Sequence, residues 1–221
     1  MGKFELDMGA AMLPQVRKMG PEYWQWVHKP SSQRSFRMFK HDLFEFFGAT
    51  KWWVIPMVWL PVIAYLSSSS MGYFSLRSTP YTTATVPAFA TLLMAGVCLW
   101  TLAEYLLHRY LFHVLFSSTS EFFIAFHFLL HGQHHKFPLD EGRLVFPPVS
   151  GVMVALHFYA AYHSLLPFAS AEAVMAGTLA GYVVYDLMHY YLHHGQPSLE
   201  YLRDLKRYHR EHHYRNPDMG K

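Results

Sequence analysis

The sequence predicts an all-α integral membrane protein: four transmembrane helices with a cytosolic helical cap. Three observations carry that expectation. The 221-residue chain holds only 15% charged residues against 18% aromatic ones, where an average soluble domain has roughly 25% charged. It contains four separate apolar stretches, and its cations sit almost entirely on one side of them.

The first stretch, 52–66 (WWVIPMVWLPVIAYL), carries Pro56 and Pro61. Prolines are costly inside a soluble helix but tolerated in membrane helices whose neighbours satisfy the freed backbone groups. The second stretch covers about 85–107, the third about 149–166 and the fourth about 171–188. With flanking residues, spans are expected at about 50–68, 85–107, 148–166 and 171–189, each near the ~20 residues that a bilayer core demands. The serine run at 67–70 with Gly72 is read as ending the first span, and Pro167 as separating the third from the fourth.

Charge orients the spans. With four crossings, the N-terminus, the middle loop (about 108–147) and the tail share one side. Of the eighteen Lys and Arg, only Arg77 falls in a turn on the other side. Cytoplasmic loops carry the excess of cations, which makes the shared side cytosolic. Trp24, Trp26, Trp52, Trp53 and Trp59 suit membrane interfaces. A soluble helical protein is the weaker alternative, since it leaves this asymmetry unexplained. The whole chain reads as one domain, 1–221, with no internal repeat. The first twenty residues hold no long apolar run, so internal helices are expected to direct insertion. The single Cys98 excludes a disulfide framework or a thiolate metal site. The net charge of +3 gives no nucleic-acid signature.

Sixteen histidines are the second anomaly; eleven fall in four boxes, and ten of these are candidate ligands. HRYLFH at 108–113 contributes His108 and His113, and HGQHH at 131–135 contributes His131, His134 and His135. HYYLHH at 189–194 contributes His189 and His193, and HREHH at 209–213 contributes His209, His212 and His213. All four boxes lie on the cytosolic side of a topology drawn without reference to histidine. At about 100° per residue, positions i, i+3 and i+4 share a helix face. His131, His134 and His135 are therefore expected to point together, as are His209, His212 and His213, and the pair His189 and His193. His108 and His113 diverge by about 140° on an α-helix, so they reach different metals or the helix ends between them. Neutral imidazole suits iron, zinc, copper and nickel, and ten ligands are too many for one ion but natural for two. The cap is therefore expected to hold a histidine-ligated dimetal site.

Ligating imidazoles need acceptors for their other N–H, and Glu104, Asp140, Glu141, Asp186, Asp204 and Glu211 lie near the boxes. Tyr182, Tyr185 and Asp186 share a face with His189 and are candidates for substrate head-group contacts or for orienting ligands. So is His194, although it points about 100° away from His193. His127, one turn before His131, is read as supporting or structural. His28, His41, His157 and His163 are read as ordinary polar residues.

These boxes, with HGQHHKFP (131–138), RLVFPP (143–148) and GYVVYDLMHYYLHHGQP (181–197), resemble the fatty acid 2-hydroxylases of the sterol desaturase and fatty acid hydroxylase superfamily. EYWQWVHKP (22–30) and KWWVIPMVWLPV (51–62) extend the resemblance over nearly the whole chain. The boxes alone indicate the superfamily; the phrases between them narrow it. The resemblance implies the ten box histidines as ligands, with two metal ions that are iron in the active enzyme, zinc being possible in purified protein. It implies O2-dependent hydroxylation at C2 of a long or very-long acyl chain, free or in ceramide, in the endoplasmic reticulum membrane. Many members carry an N-terminal cytochrome b5 domain. The N-terminal segment here has no HPGG haem motif, so the chain is expected to hold no haem and to take electrons from separate cytochrome b5 and its reductase. The family also continues beyond the fourth box, and a shortened form is expected from the end at Lys221.

The competing readings are a sterol or other lipid oxidase or desaturase of the same superfamily and, in another class, a zinc-dependent membrane hydrolase or a metal transporter. A hydrolase needs fewer ligands and an open water position. A transporter places its ionisable residues at the membrane midplane, whereas the boxes lie at one face.

Overall fold

A computed structural model describes residues 5–77, 85–114, 117 and 119–216. Every regular element among them is helical. The α-helices are α1 (Leu13–Val16), α2 (Tyr23–Val27), α3 (Asp42–Gly48), α4 (Val54–Arg77), α5 (Thr85–Leu107), α6 (Glu121–His127), α7 (Gln133–Lys136), α8 (Pro148–Leu165), α9 (Phe168–His194) and α10 (Glu200–Tyr214). They form two compact units, one of Met1–Trp52, Leu106–Val145 and Met188–Lys221, the other of Trp53–Tyr105 and Phe146–Leu187.

The second unit holds the long apolar helices. Three segments are long and apolar enough to cross a membrane: Val54–Leu76, Thr85–Phe112 and Phe168–His194. The fourth expected span forms a helix, α8, but is not among those three. Its 18 residues include His157, His163, Tyr159, Tyr162, Ser150 and Ser164, which dilute its hydropathy. The serine run does not end the first span. α4 continues through it to Arg77, because the serine hydroxyls find acceptors: Ser70 donates to the Ala169 carbonyl at 2.7 Å and Ser75 to Met71 at 2.8 Å. Pro167 does separate α8 from α9.

In this unit α9 is the most enclosed helix, with Ala169, Ala173, Gly177 and Gly181 repeating at four-residue spacing. That stripe lets backbones meet, as small residues do where lipid supplies no hydrophobic drive between helices. A Cβ on Gly177 would lie 1.9 Å from the Leu93 carbonyl oxygen, and one on Gly96 2.1 Å from that of Val174. Thr178 ties the crossing, its hydroxyl 2.9 Å from the Val174 carbonyl and 3.3 Å from that of Gly96. Outward, Met57, Leu60, Tyr65, Met94, Leu102, Met153, Leu156 and Leu165 are exposed, an apolar coat that suits lipid rather than water.

The other unit packs its N-terminal segment against α6 and α7. Met12, Val16, Tyr23, Val27, Phe36, Met38, Ile124, Phe128 and Phe137 form its core. Lys136 closes the contact, donating to the carbonyls of Trp26 (3.1 Å) and Lys29 (2.6 Å) with its ammonium 4.6 Å from the Trp26 ring. Glu45 of α3 accepts from the backbone N–H groups of Met38 and Phe39 and pairs with the buried Arg143. Arg143 also donates to the Gly48 carbonyl. This holds the 137–145 loop, whose carbonyls reach the histidines.

Candidate metal centre

All ten box histidines fall in the first unit, the one containing α6, α7 and α10. Their ligand atoms converge in two groups. Nitrogens of His134, His189, His193, His209 and His213 lie within 4.8 Å of one another, and so do those of His108, His113, His131 and His212. His135 joins the latter, its Nε2 3.0 Å from that of His131.

The grouping differs from the expectation that each box points one way. Box 1 serves one group and box 3 the other, but boxes 2 and 4 are divided. His131 and His135 go together while His134 goes to the other group; His209 and His213 go together while His212 departs. Helix geometry explains it. Residues i and i+4 are about 40° apart, whereas i+3 lies about 100° from i+4. One helix end therefore offers a flank to each of the two histidine groups.

His108 and His113 fall in the same group, their Nε2 atoms 3.3 Å apart. Neither expected outcome holds as stated: the two rings share one group, and α5 stops at Leu107, ahead of both, with His108–Phe112 forming a π-turn. A π-turn bonds i to i+5, so a residue five positions on returns to nearly the same face. A second π-turn, Phe128–Gly132, contains His131. Such bulges concentrate at functional sites.

The electrostatics suit metal ligation. Burial, reinforced by the surrounding imidazoles, holds His131, His134, His135 and His213 well below the usual histidine range, and His113 down at about 2. His209 is likewise lowered. Neutral imidazole is the ligating form. Among the described residues both ring nitrogens of His213 are buried without a hydrogen-bond partner, a costly state for polar atoms that an ion bound at one of them would relieve. The spacings fit too. Two nitrogens each about 2.1 Å from one ion, at 90–110°, stand roughly 3.0–3.4 Å apart. The observed separations are 2.9 Å for His134 and His189, 3.0 Å for His131 and His135, and 3.3 Å for His108 and His113, with His193 and His209 closer at 2.6 Å. The donor set fits two imidazole-bound ions.

Two of the rings take backbone carbonyls, not the carboxylates anticipated, as acceptors. The rings of His189 and His193 hydrogen-bond the backbone carbonyls of Leu144 and Pro138. Asp140 instead accepts from the Gly142 N–H and lies beside Arg143, Asp204 pairs with Arg207, and Glu104 hydrogen-bonds Tyr185. Asp186 accepts from the Phe146 N–H at 3.1 and 3.2 Å, and Tyr182 donates to the Phe146 carbonyl and to Asp186. These contacts anchor the RLVFPP segment where it enters α8. His194 belongs to neither group and packs at a tilt against Tyr190 with ring centroids 5.0 Å apart.

Sequence reasoning passed over the support from EYWQWVHKP. The Tyr23 hydroxyl lies 2.5 Å from Nδ1 of His127, and His127 also hydrogen-bonds the Phe112 carbonyl at the end of the first π-turn. Trp24 packs edge-on against His127 at 4.5 Å, and His28 against His135 at 5.5 Å. The signal was an aromatic cluster whose Trp24 and Trp26, expected at a membrane interface, pack instead on His127 and Phe128.

A fatty acid hydroxylase family model matches residues 93–220, which contain every box. The human fatty acid 2-hydroxylase is 42% identical over 97% of this chain. The chain belongs to the fatty acid hydroxylase family. Within that family, a dihydroceramide fatty acyl 2-hydroxylase of Arabidopsis thaliana is 40% identical, with 99% of this chain and 88% of its own length aligned. The ceramide very long chain fatty acid hydroxylase of Saccharomyces cerevisiae is 39% identical over 97% of this chain and 54% of its own. The chain spans 60% of the length of the human relative. Among solved structures, full-length scs7p with only its hydroxylase domain visible superposes with a TM-score of 0.83 at 38% identity, covering 98% of this chain and 80% of that one.

Proposed function

We propose that this chain is a single membrane-embedded hydroxylase domain that hydroxylates C2 of long or very-long acyl chains, free or in ceramide, using O2. The observation that carries the reading is the pair of convergent, half-buried to buried imidazole groups in a chain of the fatty acid hydroxylase family. The names of the relatives from human, plant and yeast support the acyl C2 position and a sphingolipid context.

The ten box histidines are proposed as ligands of two ions: His108, His113, His131, His135 and His212 for one, and His134, His189, His193, His209 and His213 for the other. When bound, a redox-active metal pair, proposed as di-iron, supplies O2 activation toward an unactivated C–H bond, which acid–base side chains cannot achieve. Two external electrons and two protons take the second oxygen atom to water, and cytochrome b5 with its reductase is the proposed source. Zinc has no redox chemistry, so a zinc-loaded protein folds and stays inert.

The protein's own part is to hold these rings neutral, oriented and dry. The Leu144 and Pro138 carbonyls fix two rings, and the Tyr23–His127 pair braces the turn that carries His108 and His113. Asp186 and Tyr182 serve by positioning the 146–148 corner, and Tyr185 and His194 are kept as candidates near the acyl head group. Four spans are proposed, with α8 as the third. The cation distribution supports a cytosolic N-terminus and cytosolic boxes in the endoplasmic reticulum membrane.

Protein purified in detergent, assayed for iron and zinc and then supplied with iron, cytochrome b5, its reductase and NADH, tests the reading. A long-chain acid and a ceramide are offered and products read by mass spectrometry. The expected result is two metals per chain and a 2-hydroxy product that is lost in His134→Ala. Absence of bound metal in carefully handled protein overturns it.

A further inference from the structure

α10 has two dissimilar sides. Leu202, Leu205, His209, His212 and His213 follow helical spacing on the side that turns toward the imidazole groups, with His212 and His213 buried. Rotated by more than a third of a turn, Arg203, Arg207 and Arg210 recur at four- and three-residue spacing, all exposed. They line a concave surface of about 550 Å³ together with Lys206, Arg215 and Tyr214, and Glu211 is the one carboxylate in its wall. Arg207 is partly neutralised by Asp204 at 3.2 Å. Among the described residues, Arg203, Arg210 and Arg215 have no carboxylate within ion-pair distance. Lys206 is committed elsewhere, donating to the His193 and Gly195 carbonyls at the end of α9.

A cluster of guanidinium groups repels itself and creates a positive potential that attracts an anionic partner. Its place is specific: it backs the helix that supplies three of the ten imidazoles. An electron arriving at this face has one helix diameter to cross, roughly 10–12 Å. Electron-transfer encounters use small, polar, electrostatically steered contacts, which is the character of this surface.

Building on the oxygenase reading, we propose that the Arg203–Arg207–Arg210 face of α10 is the docking surface for an acidic electron-carrier protein that delivers the external electrons to the histidine-bound metals. Guanidinium groups favour carboxylates in paired, planar contacts. The carrier surface that fits is therefore a cluster of Asp and Glu around an exposed redox-cofactor edge.

The test compares the metal-loaded wild-type chain with the double reversal Arg203→Glu/Arg210→Glu and with a control reversal of equal charge, Lys18→Glu/Lys40→Glu, on exposed residues of the N-terminal segment. The probe is the soluble haem domain of cytochrome b5, with equilibrium binding read by fluorescence anisotropy and turnover read against carrier concentration. The α10 reversal is expected to weaken binding tenfold or more and to raise the KM for carrier equally. kcat at saturating carrier, the KM for acyl substrate and metal content should stay within twofold of wild type. The control should change none of these by more than twofold. Wild-type binding should fall steeply with salt, and the α10 reversal should flatten that slope.

Unchanged carrier binding in the α10 reversal overturns the proposal, as does an equal loss in the control. Loss of binding to phosphatidylserine vesicles with carrier binding intact also overturns it and assigns the face to lipid head groups. Because binding is read without turnover, a chain that docks the carrier through α10 yet yields no 2-hydroxy product would defeat the oxygenase reading and leave the docking surface standing.

Discussion

The Nε2 atoms of His108 and His113 are 3.3 Å apart although the residues are five positions apart in sequence. An α-helix does not bring such a pair together, and the π-turn between them does. Inserting one alanine after Tyr110 moves the spacing to six and is expected to lower bound metal by about half. Deleting Leu111 leaves a spacing of four, the spacing at which His131 and His135 already meet, and should retain more metal than the insertion. Metal analysis by mass spectrometry on both variants decides the point. Equal metal content in the two would sink the account of the turn.

The crossing of α5 and α9 should tolerate no side chain. A Cβ on Gly177 meets the Leu93 carbonyl carbon at 2.8 Å as well as its oxygen, and neither belongs to a flexible side chain. Gly177→Ala must push the backbones apart, and overpacking of this kind costs about 1–3 kcal/mol, occasionally more. A lowered thermal midpoint in detergent is expected. Gly72→Ala, with nothing within 4 Å of its added Cβ, should leave the midpoint unchanged or raise it.

Tyr23 and His127 are both buried and bond each other at 2.5 Å. Tyr23→Phe keeps the ring and leaves Nδ1 of His127 without that partner, a loss of about 1–3 kcal/mol. The thermal midpoint should fall by several degrees. Because His127 also bonds Phe112 beside the first π-turn, metal affinity should weaken too. Unaltered stability and affinity in Tyr23→Phe would show the pair to be incidental.

The metal-free protein should be acid-sensitive well above the range where carboxylates titrate. His113 is lowered to about 2 and His127 to about 4, chiefly by burial, while unfolded histidine titrates near 6.5. Between those limits the unfolded chain binds protons that the folded chain refuses. Stability is therefore fully present above about pH 6.5 and is lost as pH falls, by about 1.4 kcal/mol per pH unit for each such group. Thermal midpoints of chelator-treated protein should hold level from pH 8 to about pH 6.5 and fall from there to pH 5, and a profile flat throughout would contradict the burial of these rings. Metal-loaded protein should resist until protons displace the ions.

Much of the site was legible in the primary structure because histidine boxes are local. His209, His212 and His213 announce their shared helix by spacing alone, and the helix ends they occupy follow from the hydropathy of the neighbouring stretches. Their division between two groups was not legible, since i+3 and i+4 count as one face until two separate targets exist on either flank. The same holds for the serine run in α4. Read locally it breaks a helix, and only the Ala169 carbonyl beside Ser70 shows how the helix continues.

Local chemistry thus determined the helical class, the long apolar segments and the identity of the ten convergent histidines, because periodicity and side-chain type act over a few residues. Tertiary structure decided what depends on partners distant in sequence. It selected π rather than α geometry at His108–Phe112 and set Gly177 against the Leu93 carbonyl. It also gave His189 and His193 backbone carbonyls rather than carboxylates as acceptors, and braced His127 with Tyr23, 104 residues away. Each of these outcomes depends on burial, where an unpaired polar atom is expensive, and burial is a property of the folded chain.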